Sequence, residues 1–489
     1  MADGVLLFVT YKPKEAALAE LRELFSSRTT KPLDLDVAAG MLRKHLELRF
    51  KPALRGMPSY DFVLALDGVD ETPPLTIDDT FVFALDTIDP HSREAAELYG
   101  LATTRRADLP VRDVQVAIDL PTGLANVWCP KEGSFPLFGD LDLALAQMRA
   151  GAAAARGAFG QNVNVVIIDQ GINRNVLAQR FPGARFVGGW STPEFGKGGP
   201  PPPPGPIPPP IPPGGWRDDG LGPMVTHGTK MASLVLAVAP QARILDLALL
   251  PSRILSLSGF LSWAVAAYWM LVTLIPWIKN NIPGFGGPWV LNNSWAVYDL
   301  STDLPPGDPG NYGSNPNHLL NFAVAELPRL GIADVVFAAG NCGQFCPDAR
   351  CGARQIGPGR TIYGVAAIND VLTVAAVRGD ETWLGYSSQG PADPNFGSIK
   401  PDLCAPSQFA SVEPGPPRIA DWDRSFTGTS SACALTTGAI AAKRSLVPPG
   451  ALSPAALRAL AVTSARRVVN QAAADERRGA GMIDVAALV

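Results

Sequence analysis

Apolar and polar positions follow different rhythms in two parts of the chain. Up to about residue 125, short apolar runs are interleaved with helical periodicity and with charge. Val5–Tyr11 (VLLFVTY), Phe62–Gly68 (FVLALDG) and Phe81–Asp86 (FVFALD) read as strands. Lys14–Phe25 sets Ala17, Leu18, Leu21 and Leu24 on one helical face. This is an α+β pattern, and no catalytic constellation falls in it. From about residue 130 the pattern becomes strand–helix alternation. Asn162–Asp169 (NVNVVIID), Ala184–Trp190, Ala242–Leu250, Pro288–Trp295, Ala333–Asn341 and Val371–Val377 are near-continuous apolar strands. Strands apolar on both faces predict a parallel sheet covered by helices on either side, hence an α/β fold. In such sheets functional residues gather beyond the carboxyl ends of the strands, where Asp169, Asn293 and Asn341 fall.

Two segments interrupt this alternation. Residues 199–215 (GPPPPPGPIPPPIPPGG) cannot join a sheet or helix and predict an extended polyproline II stretch: a docking site for a partner, a flap beside the cleft, or a stiff surface insertion. Ile254–Ile278 contains no Asp, Glu, Lys, Arg or His and is long enough to cross a bilayer. A crossing would put His227 and Ser430 on opposite sides of the membrane, with no second segment to return the chain. The run also holds Ser256, Ser258, Ser262 and Thr273 and is expected to end in a turn broken by Pro276. A buried helix packed on the parallel sheet is expected instead, with membrane contact at most peripheral.

Length and composition narrow the class. A chain of 489 residues exceeds one ordinary core, so two domains are expected, residues 1–125 and 130–489. With 47% hydrophobic and 18% charged residues it is globular rather than disordered. A net charge of −4 gives no basic field for nucleic acid. At the N-terminus Asp3 precedes an apolar run too short for an export signal, so a cytoplasmic start is expected, with non-classical export left open. Cys342, Cys346 and Cys351 cluster, but they lack paired C-x-x-C spacing and a nearby His. They predict a tight loop with one disulfide or free thiols rather than a zinc site.

Three short motifs occur in the order Asp, His, Ser. Asp169-Gln170-Gly171 ends an apolar strand, His227-Gly228-Thr229 opens a helical pattern, and Gly428-Thr429-Ser430-Ser431-Ala432 opens another. Each alone is a common turn or helix start; together, in order and at element ends, they point to acyl transfer. A serine hydroxyl needs an adjacent base to become a nucleophile. An imidazole can take its proton and pass it to the leaving amine, and needs a carboxylate to fix its tautomer. Ser430 at a helix N-terminus is placed for backbone N–H groups to meet a developing oxyanion, and the Asn341 amide is the candidate second donor.

These motifs, with their surroundings, resemble the subtilisin-like serine peptidases (subtilases). VVIIDQGI, THGTKMAS and SFTGTSSACA resemble the family's aspartate, histidine and serine motifs, and FAAGN the segment with its oxyanion asparagine. NNSW resembles the substrate-cleft strand, and YSSQGP, KPDLCAPS and GAGMIDVAAL resemble secondary landmarks. A histidine motif argues against the related sedolisins, which use glutamate. Ala434 replaces a proline usual in the family, a departure that touches no chemistry. The resemblance implies a parallel-sheet subtilisin-like catalytic domain with a smaller α+β N-terminal domain, acting as a serine endopeptidase through Asp169, His227 and Ser430. It implies Asn341 in the oxyanion hole and Asn293, Ser294, Trp295, Ala338, Ala339 and Gly340 along the substrate cleft. No cofactor is required; structural calcium is common in the family, but no run of oxygen ligands identifies a site. VLLFVTYKPKEAALAELRELF resembles the first strand and helix of the family's folding-assisting, inhibitory propeptides, and a retained binding domain is the competing reading. Partners are then protein or peptide substrates, with the polyproline segment as a further docking candidate. His45, His91 and His318 are expected as surface or packing residues. Rival functions are a silent binding fold, a peptide ligase using the same triad, and a membrane-associated assembly factor.

Overall fold

The computed structural model describes residues 4–26, 33–66, 80–103, 109–124, 138–191, 225–249, 259–359, 361–397, 399–410 and 425–489. The polyproline stretch, residues 199–215, and residues 254–258 of the long apolar run lie outside these.

The N-terminal region runs β1 (Leu7–Pro13), α1 (Glu15–Ser26), α2 (Leu35–Leu46), β2 (Leu54–Gly56), α3 (Pro58–Asp61), β3 (Val63–Leu66), β4 (Phe81–Leu85), α4 (Arg93–Thr103), β5 (Val111–Ile118) and β6 (Pro121–Leu124). Four of the strands form an antiparallel sheet in the order β2-β4-β1-β5. Helix α1 buries Ala17, Leu18, Leu21 and Phe25, the apolar face that the periodicity marks out, though Leu24 is only partly covered. Asp34 caps α2 by accepting from the backbone N–H groups of Asp36 and Val37.

The remainder runs α5 (Leu141–Gln147), α6 (Gly151–Ala155), β7 (Asn164–Asp169), α7 (Arg174–Arg180), β8 (Arg185–Ser191), α8 (His227–Val238), β9 (Arg243–Ala248) and β10 (Gly259–Phe260). It continues with α9 (Leu261–Asn281), β11 (Trp289–Asn293), β12 (Trp295–Val297), α10 (Leu319–Arg329), β13 (Asp334–Ala338), β14 (Leu372–Val377) and β15 (Leu403–Pro406). It closes with β16 (Phe409–Ala410), β17 (Ser425–Phe426), α11 (Gly428–Ser445), α12 (Pro454–Ser464) and α13 (Val485–Leu488). Seven of these strands form a parallel sheet in the order β15-β14-β13-β11-β7-β9-β8. Strands β7, β11, β13 and β14 are buried throughout, as a sheet with helices on both faces requires.

Helix α11 lies against β11, β13, β14 and β15 and packs beside α8. A Cβ on Gly438 would fall 2.9 Å from the Val235 carbonyl, so only glycine permits this crossing. At its far end Arg444 holds Asp334 with two bonds of 2.6 Å, tying α11 to the start of β13.

Two findings differ from the sequence pattern. The N-terminal region is not confined to its own sheet: β3 adds antiparallel to β8 as an eighth strand, and β6 lies between β10 and β12. The long apolar helix, α9, does more than pack on the parallel sheet. Tyr268 stacks near Phe337 of β13, while other residues meet α3 and β4 of the N-terminal region and α10. The helix also continues past Pro276 to Asn281, where a break was expected. Its N-terminal half, Leu261–Trp269, is buried on every side, and from Met270 to Lys279 buried and partly buried residues alternate, with none exposed before Asn280.

Candidate active site

Asp169 ends β7 at the centre of the parallel sheet, with no solvent exposure. Its carboxylate accepts from Gln170 N–H at 2.7 Å and meets His227 Nδ1 at 2.8 Å through Oδ1 and 2.9 Å through Oδ2. His227 is the first residue of α8. Thr226 caps that helix, accepting from Thr229 N–H at 3.1 Å and donating to the Gly171 carbonyl at 2.5 Å. The H-G-T pattern has a steric reason. A Cβ on Gly228 would lie 2.6 Å from the Gly171 oxygen, so glycine lets the first turn of α8 close on the loop after Asp169. Asp246 of β9 fixes the same loop by accepting from Ile172 N–H at 2.9 Å.

Ser430 lies in the first turn of α11, fully buried. Its Oγ donates to the Ser294 carbonyl at 3.3 Å, and Ser294 Oγ donates to the Ser430 carbonyl at 3.3 Å. Among the described residues no hydrogen bond joins Ser430 to His227, and the buried Nε2 of His227 has no partner. The serine hydroxyl is thus parked on a backbone carbonyl, while the imidazole is held by its other nitrogen.

Asn341 follows β13. Its Oδ1 accepts from Thr429 N–H at 3.0 Å and Thr429 Oγ at 2.9 Å, which fixes the orientation of the amide. Its buried Nδ2 has no hydrogen-bond partner among the described residues. Burial pushes the Tyr298 pKa up, so that hydroxyl keeps its proton. The backbone turns here at Gly340, whose φ is +98° and whose N–H donates to Thr429 Oγ at 3.2 Å.

The expected cleft residues divide in their roles. Asn293 is fully occupied inside: Oδ1 accepts from the Tyr268 hydroxyl, and Nδ2 donates to the Val336 carbonyl at 3.0 Å and the Leu291 carbonyl at 3.3 Å. Ser294 links β11 to α11. Trp295 opens β12, the edge that pairs with β6. Beside it a narrow cavity of about 20 Å³ is lined by Trp295, Tyr298, Tyr312, Tyr363, Ala338, Ala339, Gly340 and Asn341, among others. The sequence pattern singled out neither Thr429, which orients Asn341, nor Tyr298 and Tyr363. Thr429 could have been found from its place between the glycine and serine of G-T-S.

The cysteine loop contains a disulfide, Cys342–Cys351, and Cys346 is disulfide-bonded as well. Cys433, one turn past Ser430, is a buried thiol that burial pushes up to about 12, so it stays protonated. His45 is buried between Tyr11 and Glu20, His318 is buried at the start of α10, and His91 is exposed. Among the described residues, no group of three or more His, Cys, Asp or Glu side chains could hold a metal ion.

The family model of the subtilase family matches residues 216–481. The fold is similar to that of fervidolysin from Fervidobacterium pennivorans, a keratinolytic enzyme related to subtilisin. That likeness has a TM-score of 0.52 and 15% identity, and covers all of this chain and 61% of that one. MycP1 from Mycobacterium smegmatis gives a TM-score of 0.45 and 20% identity over 76% of this chain and 90% of that one. No curated protein sequence matches the chain. The class is that of serine-type endopeptidases. The chain belongs to the subtilase family.

Proposed function

We propose that Asp169, His227 and Ser430 form the catalytic triad of this endopeptidase and that the N-terminal region is its inhibitory propeptide. Ser430 Oγ attacks the scissile carbonyl. His227 Nε2 takes its proton and returns it to the leaving amine, and Asp169 keeps the proton of the neutral imidazole on Nδ1 and stabilises the imidazolium. The Asn341 amide and the Ser430 backbone N–H meet the oxyanion, a contact that strengthens as charge develops. What supports the first part is the paired carboxylate–imidazole contact, which leaves His227 Nε2 as the free end of the ring. The reaction then needs Ser430 Oγ to turn from the Ser294 carbonyl to His227.

What carries the second part is β6. An extended substrate adds a strand to a cleft edge, and β6 does so on both sides at once, pairing with β12 through Thr122–Leu124 and with β10 through Pro121 and Thr122. The chain thus lays its own segment where a substrate would lie, and Ser430 is sealed from solvent. A disulfide beside the site suits an oxidising compartment better than the cytoplasm.

A fluorophosphonate probe tests both parts. The intact chain should label slowly, a chain that has lost its N-terminal region by autoprocessing or limited proteolysis should label fast, and Ser430→Ala should not label in either form. Equal fast labelling of intact and processed wild type would refute the propeptide. No labelling of any form would refute the triad and favour a silent binding fold.

A further inference from the structure

We infer that Arg350 sets the specificity of one subsite of the cleft, requiring glycine in the bound strand opposite Ala296. The inference rests on reading β6 as a segment bound in the manner of substrate.

The register places Leu124 opposite Trp295, Gly123 opposite Ala296 and Thr122 opposite Val297. Gly123 does not have a positive φ, so its backbone accommodates any residue. Space is what excludes a side chain. A Cβ built on Gly123 would overlap Arg350 Nη1, and it would lie 3.4 Å from Arg350 Cζ and 3.5 Å from Tyr298 Cε2.

The far end of an arginine normally swings aside at little cost, but this one is held. Its Nε and Nη2 grip the two carboxylate oxygens of Asp348 at 2.9 Å each, the bidentate fork that fixes a guanidinium most firmly. Its Cζ lies 4.1 Å from the ring centre of Tyr298, stacked on the residue that follows β12. The backbone beneath is held too. Asp348 N–H donates to the Asn341 carbonyl at 2.9 Å, Gly352 N–H donates to the Tyr298 carbonyl at 3.1 Å, and the Cys342–Cys351 disulfide closes the loop. Arg350 is exposed on its outer side, but the guanidinium is held between Asp348 of its own loop and the Tyr298 ring at the end of β12. A substrate carrying a side chain at this position must break the fork or lose the strand pairing. A pocket that excludes added carbon discriminates by roughly 10- to 200-fold.

The chain's own strand serves as the probe. Four full-length chains are compared: wild type, Gly123→Ala, Arg350→Ala and the double variant. Two quantities are read, the rate of fluorophosphonate labelling of Ser430 and the melting temperature. Gly123→Ala should label at least about tenfold faster than wild type, because the added methyl weakens the hold of β6. The double variant should return to within about threefold of Arg350→Ala, with the loss in melting temperature from Gly123→Ala also largely removed. Equal effects of Gly123→Ala in wild type and in the Arg350→Ala variant, in both readouts, would overturn the inference. Labelling absent from all four chains and from processed wild type would overturn the peptidase reading, and the substrate claim with it. The melting temperatures would still report whether Arg350 and Gly123 meet.

Discussion

The N-terminal region gives two strands to the peptidase region, and they sit in opposite circumstances. Strand β3 extends the parallel sheet at its edge, beyond β8, far along the strand order from the β7 and β11 positions that carry the site. Strand β6 lies between β10 and β12, in the line a substrate would take. The first protects an exposed sheet edge; the second blocks a cleft. Between them the N-terminal sheet covers α9 and the start of α10, with Lys12 lying 4.8 Å from the Trp269 ring and Phe8 edge-on to His318. On the proposed reading, one connected region uses β6 for inhibition and β3 for attachment. Cutting the chain after β6 would free the cleft strand without removing what β3 and α9 hold. Release of inhibition and departure of the region are then separate events.

Strand β6 can inhibit only a competent site, and substitution of Asp169 gives the largest effect. Asp169→Asn should keep the fold and lower labelling and peptide turnover of the processed enzyme by roughly 10⁴-fold, through the wrong imidazole tautomer. An unchanged rate would remove Asp169 from the mechanism. Next, Gly123→Pro removes a strand N–H and adds a ring against Arg350. Labelling of the intact chain should rise about a hundredfold, while the melting temperature falls only modestly. Third, prolines at both Leu64 and Ala65 remove at least one β3–β8 hydrogen bond. They should lower stability by roughly 2–3 kcal/mol without speeding the labelling of the intact chain. If the β3 variant labels as fast as Gly123→Pro, the two strands do not act separately.

Much of the peptidase region was legible because its signals are long and local. An apolar strand ending in Asp169, and helices opened by H-G-T and G-T-S, declare their elements, and the structure has β7, α8 and α11 there. The parallel order of the sheet followed from strands apolar on both faces. Strand β6 was illegible for the opposite reason. Its sequence, PTGL, holds a proline and a glycine and has no periodicity; only the edges of β10 and β12 make it a strand. The partner of α9 was hidden too, because an apolar helix does not say which neighbours cover it. The disulfide loop was foreseen as a tight loop, but its contact with β6 depends on Arg350 reaching back across the intervening fold to the end of β12. Pairings of this kind are decided by tertiary structure and leave no mark in short windows.

The smallest effect concerns how firmly the N-terminal sheet sits on α10. His318 is the residue before α10, and its Nδ1 accepts from Leu320 N–H at 3.3 Å. Its ring is edge-on to Phe8 of β1 at 6.1 Å and to Tyr312 at 5.6 Å, fully buried. Burial alone pushes its pKa down to about 3, and protonation would also remove the acceptor that caps the helix. The folded pKa lies below the unfolded value of about 6.5, so neutral His318 contributes stability above that pH. The contribution is lost as pH falls from about 6.5 toward 3, at up to about 1.4 kcal/mol per pH unit. His318→Asn can still cap α10 but cannot titrate. Its melting temperature should therefore fall less steeply than that of wild type between about pH 6.5 and pH 4, whatever its starting value. Parallel curves would mean that the ring escapes to solvent before it is protonated, and that the contact between β1 and α10 already opens at little cost.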